Sequence, residues 1–268
     1  MNSCFFVFQM YLLDSMKKKY HLPLGRFIAA RCSPEGEFGL HLTQGVLLLL
    51  LAAWLFGRIA DQVMGGATTL GWIHWLDSEF AHYLQAQATP MLTALMLTIT
   101  HLHGIVGNSI LGVLLCAYFA WKKLPYWLLT TALALPVGML LNLLLKYTFM
   151  RARPVSDDAI LTLASYSFPS GHTAASTLLY GIIAAYLVCL SPRFSVRGAI
   201  IAAAVLMVAL VGLSRVYLGV HYASDVLAAV VESCGWLAVC ITAISTLRRR
   251  RAAADQRRRA ADQRGSLS

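Results

Sequence analysis

The chain is constrained most by its long apolar runs. Six stretches, at about residues 41–60, 104–121, 125–147, 171–190, 198–216 and 224–247, are almost free of charge. Each is near the roughly 20 residues that a helix rising about 1.5 Å per residue needs to cross a hydrocarbon core about 30 Å thick. Inside lipid the backbone must satisfy its own hydrogen bonds, which leaves helices or closed barrels. Runs of this length and uniform apolarity are helices, so the pattern predicts an all-α, polytopic membrane bundle of six transmembrane helices. Composition agrees: 58% hydrophobic and only 13% charged residues, with a mean hydropathy of +0.65, exclude an ordinary soluble domain.

The net charge of +10 suggests nucleic acid until its location is considered. With the N-terminus placed in the cytoplasm, all but five of the 22 Lys and Arg fall on the cytoplasmic side: Lys17–Lys19, Arg26 and Arg31, Lys122 and Lys123, Arg193 and Arg197, and the tail from Arg248. The five exceptions are Arg58, Lys146, Arg151, Arg153 and Arg215. The positive-inside bias therefore predicts that both termini are cytoplasmic, with no nucleic-acid partner. The expected division is an N-terminal arm (1–40), a six-span domain (41–247) and a basic tail (248–268), the tail frayed or disordered against anionic lipid. In the arm, the apolar patch Phe5–Leu13 precedes its basic run, unlike a cleavable signal peptide. Met16, directly before Lys17, reads as the translation start, which would make residues 1–15 an extension of the reading frame. The six cysteines form no CxxC pair and no cluster with His, so neither a disulfide framework nor a zinc site is expected.

Lys122-Lys123-Leu124-Pro125 and Ser191-Pro192-Arg193 mark tight cytoplasmic turns. After the first span, Trp72, Leu76, Phe80, Tyr83 and Leu84 recur at helical spacing, with His74, Asp77, Ser78, His82 and Gln85 on other faces. This predicts an amphipathic helix at the outer interface anchored by Trp72 and Trp75. Pro90 restarts the chain into 91–103, too rich in Thr and His to count as a span.

Three polar islands interrupt the apolar runs, and span counting puts them at one membrane face. The first is Lys146 to Pro154, the second Phe168 to Thr173, the third Ser214 to Asp225. Charged groups at this depth are costly beside lipid and mark a polar cavity. Lys146, Arg153 and Arg215 together demand a multiply charged anion, and a phosphate suits paired guanidinium forks. Pro169-Ser170-Gly171 opens a span, so its free backbone N–H groups point into the same space. His221 and Asp225 stand four apart, so a carboxylate can hold one imidazole nitrogen and leave the other as nucleophile or base. His172 can protonate a leaving oxygen. Each residue alone has an ordinary reading: Lys146 and Arg153 as headgroup anchors, Ser170 as a helix cap, His172 as a satisfied edge histidine, Asp225 as a first-turn carboxylate. Arg151, outside the spaced pattern, is left to that ordinary reading, as are the adjacent loop acids Asp157 and Asp158.

Together these residues resemble the three-part signature of the type-2 phosphatidic acid phosphatase superfamily, which includes the vanadium haloperoxidases. Lys-x6-Arg-Pro falls at Lys146–Pro154, Pro-Ser-Gly-His at Pro169–His172, and Ser-Arg-x5-His-x3-Asp at Ser214–Asp225. The resemblance covers about 90–235. It implies His221 as the nucleophile that forms a phosphohistidine, Asp225 as its orienting carboxylate, and His172 as the acid and then the base. Lys146, Arg153, Ser170, Gly171 and Arg215 would bind phosphate, with no metal and no cofactor. The branch implies a bacterial inner membrane with the site facing outward, membrane lipids as surroundings, and a lipid phosphate or diphosphate as substrate. Undecaprenyl diphosphate comes first, then phosphatidylglycerol phosphate and phosphatidate. A phosphotransferase acting on an acceptor such as lipid A is the nearest rival. A non-catalytic lipid binder or transporter is disfavoured by the intact His–Asp dyad.

Overall fold

In the computed structural model, which describes residues 40–65, 71–154 and 165–265, the apolar runs fold as helices, and helix is the only regular structure among the described residues. The N-terminal arm, the proposed start at Met16, and Asp157 and Asp158 lie outside those residues. The order is α1 (Leu40–Met64), α2 (Trp72–Trp75), a π-helical turn (Leu76–Phe80), α3 (Ala81–Ala86), α4 (Pro90–Leu102), α5 (Ile105–Trp121), α6 (Pro125–Phe149), α7 (Gly171–Leu190), α8 (Phe194–Tyr217) and α9 (Ala223–Gly265).

Among the described residues, five helices are long and apolar enough to cross a membrane: α1, α6, α7, α8 and α9. The helix expected over 104–121 is present as α5, but alone it is short for a sixth span. Seventeen residues of α5 reach only about 25 Å, short of a bilayer core of about 30 Å. The missing length comes from 91–103, which the sequence reading set aside: α4 and α5 together pass as one span, bent by 51° at His103–Gly104. His103, one of the residues that argued against a span, helps make the break tolerable. His103 Nε2 shares a 2.7 Å hydrogen bond with Tyr180, and Asn108 Nδ2 donates to the His103 carbonyl at 2.6 Å. Thr89 caps α4 by accepting from Leu92 N–H, with Pro90 in the first turn.

The described residues divide into two compact units, one within 49–237 and the other made of 40–48 with 238–265. In the first, α7 is central: 56% of its apolar window is buried, against 11% in α8. Leu178, Leu179 and Ile182 form its inner face. The outer faces carry Leu50, Trp54, Ile105, Val106, Val113 and Val205, all more than half exposed. So much exposed apolar surface has lipid as its solvent. In the second unit, Gly45 packs so closely on Thr242 that a Cβ would overlap its side chain. Here α9 stays helical to Gly265, where fraying or disorder was expected. Ala, Arg and Gln are strong helix formers, and Asp255 precedes Arg259 by four residues, a stabilising spacing.

Candidate active site

Helix ends build the site. The C-terminus of α6 brings Lys146, the N-terminus of α7 brings Ser170, Gly171 and His172, the C-terminus of α8 brings Arg215, and α9 opens with Asp225. Two turns set the spacing. Met150 ends α6 in the left-handed conformation (φ 46°), its N–H donating to the Lys146 carbonyl. Gly219, at φ 72°, turns the chain so that Val220 N–H reaches the Arg215 carbonyl and His221 folds back over the end of α8.

His221 is 3% exposed, and its Nδ1 lies 3.2 Å from Asp225 Oδ2. A carboxylate only accepts, so Nδ1 carries the hydrogen and Nε2 the lone pair. That lone pair accepts from Arg153 Nη1 at 3.3 Å. Burial is the largest influence on His221 and lowers its pKa to about 4; the bond to Asp225 opposes this, and Arg153 and Lys146 add to it. Burial likewise lowers the Arg153 pKa. Arg153 also donates to the carbonyls of Val220 (2.6 Å), Ser165 (2.7 Å) and Tyr166 (3.3 Å). Lys146 Nζ shares the Tyr166 carbonyl at 2.9 Å, so the two cations converge from α6 and from the loop beyond it.

Arg215 is 2% exposed. Its Nη1 donates to Thr100 Oγ1 of α4 at 2.5 Å, while its buried Nε–H has no partner. A buried, positively charged donor of this kind suits an anionic acceptor. The Ser170 hydroxyl is fully buried and accepts from Thr173 Oγ1 at 3.0 Å, which leaves its own hydrogen to donate. A Cβ on Gly171 would lie 3.4 Å from Asn142 Oδ1 and 3.9 Å from Lys146 Cε, so the start of α7 stands beside Lys146. His172 lies against the α4–α5 break, where a Cβ on Gly104 would stand 3.7 Å from its Nε2. The charged groups acting on His172 are Arg215, His221, Arg153 and Lys146. Every residue named from the sequence is thus brought to this one end of the bundle.

Several residues were missed. Arg151, left as an ordinary loop cation, binds Asp225 Oδ1 at 2.6 Å and Asp77 Oδ2 at 2.8 Å and lies 3.8 Å over the Tyr222 ring. Burial opposes its charge, but Asp225 and Asp77 together hold its pKa above the usual arginine value. Thr100 gave no signal beyond a hydroxyl in an apolar stretch. Glu232, buried and accepting from Asn142 Nδ2 at 3.1 Å, did give one: a lone carboxylate inside an apolar run. Among the described residues no three His, Cys, Asp or Glu side chains group to hold a metal ion.

Comparison with known proteins adds a lineage. The PAP2 superfamily profile matches residues 125–249. Phosphatidylglycerophosphatase B of Bacillus subtilis (strain 168) is 39% identical over 141 residues, 52% of this chain and 68% of that protein. The crystal structure of a transmembrane PAP2 type phosphatidylglycerolphosphate phosphatase from Bacillus subtilis superposes with a TM-score of 0.62 at 30% identity, covering 72% of this chain and 93% of that one. With the three motifs intact and their side chains gathered at one end of a matching helical bundle, this chain belongs to the PAP2 superfamily.

Proposed function

We propose that this membrane-embedded lipid phosphatase removes the terminal phosphate of a lipid phosphate through a phosphohistidine on His221. The observation that carries the reading is the gathering of Lys146, Arg153 and Arg215, the last with an unpartnered buried N–H, at the helix ends beside the unprotonated Nε2 of His221, which Arg153 contacts. Phosphate oxygens would take the Arg215 Nε–H, the Ser170 hydroxyl, the first N–H groups of α7 and the Arg153 fork, which turns from Nε2 onto the substrate. The His221 lone pair then forms the N–P bond as the P–O bond to the lipid breaks. The three cations hold the charge spread over the equatorial oxygens, and His172 gives its proton to the leaving oxygen. Asp225 stabilises the imidazole as it becomes positive. In the second half His172 takes a proton from water, the water oxygen attacks phosphorus, the N–P bond breaks, and inorganic phosphate leaves. Fixed cations do the work of charge compensation in this scheme, so EDTA leaves turnover unchanged.

Phosphatidylglycerol phosphate is placed first among substrates, because both relatives are phosphatases named for that lipid. Undecaprenyl diphosphate, first in the sequence reading, and phosphatidate belong in the same panel. The proposed setting is a bacterial inner membrane with the site on the outer face. The test is phosphate release by purified protein from that panel, without an acceptor lipid, beside His221→Ala. Release by wild type that is lost in the variant and blocked by vanadate supports hydrolysis. Release that appears only with an acceptor lipid points to the transferase instead, and turnover by His221→Ala removes the nucleophile assigned here.

A further inference from the structure

The interfacial segment 72–86 does more than lie on the membrane. Its π-helical turn, Leu76–Phe80, presents Asp77 to the protein, while Trp72, Trp75 and Tyr83 are each more than half exposed. Asp77 Oδ1 accepts the Ser224 N–H at 2.8 Å, capping the first turn of α9, and Oδ2 accepts the Ser224 hydroxyl at 2.6 Å. The same Oδ2 takes Arg151 Nη2 at 2.8 Å. The other arm of that guanidinium, Nη1, holds Asp225 Oδ1 at 2.6 Å, and Asp225 Oδ2 in turn holds His221 Nδ1 and the Tyr222 N–H. One fork is therefore split between two carboxylates.

We propose that Asp77 is a positioning residue of this site: by holding one arm of Arg151 it keeps that guanidinium from closing on both oxygens of Asp225, and so keeps Oδ2 for His221. A guanidinium facing a single carboxylate pairs with it bidentately. Without Asp77, Nη2 is released toward Asp225 Oδ2, where it competes with the imidazole N–H that fixes the tautomer of the nucleophile. Asp77 touches no reacting atom, so its effect falls on kcat and leaves substrate binding alone. The orientation of the nucleophile thereby depends on a helix whose other face is aromatic and turned outward. The inference rests on the assignment of His221 as nucleophile.

The decisive variant is Asp77→Asn. Its side-chain oxygen still caps Ser224, since Asn and Asp are comparable helix caps, but it no longer offers Arg151 an anion. Outer hydrogen-bond partners of a functional imidazole typically matter 10–100-fold at metal sites. The expected result is accordingly a fall in kcat of about tenfold, with KM and thermal unfolding close to wild type. In an Arg151→Gln background the fork is already gone, and Asp77→Asn is expected to remove nothing more. Wild-type kcat in Asp77→Asn, losses that simply multiply in the double variant, or a loss accounted for by the unfolded fraction of the sample each overturn the inference. His221→Ala in the same series separates the two levels. If it turns over, the proposed function fails; if it is dead while Asp77→Asn is fully active, only the role of Asp77 fails.

Discussion

Arg215 is a guanidinium almost fully removed from water whose buried Nε–H has no partner, an arrangement that costs several kcal/mol unless an anion completes it. The motif spacing located this residue, but its tether was invisible, because Thr100 belongs to a stretch with no pattern of its own. Arg215→Lys keeps the charge and loses both the fork and the reach to Thr100. Loss of a single positioned donor to a developing negative charge costs about 10²–10³-fold in kcat, and the steady-state rate of this variant is expected in that range. Thr100→Ala, which frees the fork without removing it, is expected to fall between that variant and wild type. His221 carries a second expectation. Burial lowers its pKa to about 4, below the ordinary histidine value of about 6.5, so the imidazole keeps its lone pair down to that pH and loses it below. After correction for the second ionisation of a phosphate ester near pH 6, the acidic limb of kcat/KM is expected near pH 4. A limb near 6.5 would mean that the imidazole is not desolvated.

At the scale of elements, the helices that carry motif residues were legible because their apolar runs are long and end in polar islands. The break between α4 and α5 was not, since part of its reason is tertiary: Asn108 satisfies the His103 carbonyl from within α5, but the His103 ring is held by Tyr180 of α7, 77 positions away. The same holds for Asp77 and Arg151, whose pairing crosses 74 positions and follows no motif. Local periodicity sees neither. The bend also has a strict steric condition. A Cβ on Gly107 would stand 1.8 Å from the Leu102 carbonyl oxygen and 2.6 Å from its carbon, both backbone atoms that no rotamer change can move. Gly107→Ala is expected to cost about 1–3 kcal/mol, the usual range for overpacking, and to lower kcat as well, because the last turn of α4 and the break after it set Thr100 beside Arg215 and Gly104 beside His172. Gly198→Ala is the control: nothing lies within 4 Å of its Cβ in α8, so thermal unfolding is expected unchanged or slightly raised. Equal melting shifts in the two variants would show that the α4–α5 contact does not matter.

For the whole molecule, orientation follows from charge once the site has been localised. Within residues 49–237, α5 leads away from His172 to Lys122 and Lys123, α6 returns to Lys146, and α7 leads away again to the turn before Arg193 and Arg197. The basic turns therefore lie at the end of the bundle opposite the site. Four turn cations, set against site cations assigned above to an anion, give a positive-inside bias, on which we propose that the site faces outward. In the proposed orientation, a site beside exposed Trp72 and Trp75 would suit a substrate whose tail stays in the outer leaflet while its phosphate enters among the helix ends. The claim can be read directly on an active variant lacking the six native cysteines. Gln87→Cys, exposed between α3 and α4 on the site side, is expected to react with a membrane-impermeant maleimide on intact cells. Lys123→Cys, in the α5–α6 turn, is expected to react only after permeabilisation. The reverse pattern would put the phosphatase site in the cytoplasm, where its lipid would have to come from the inner leaflet.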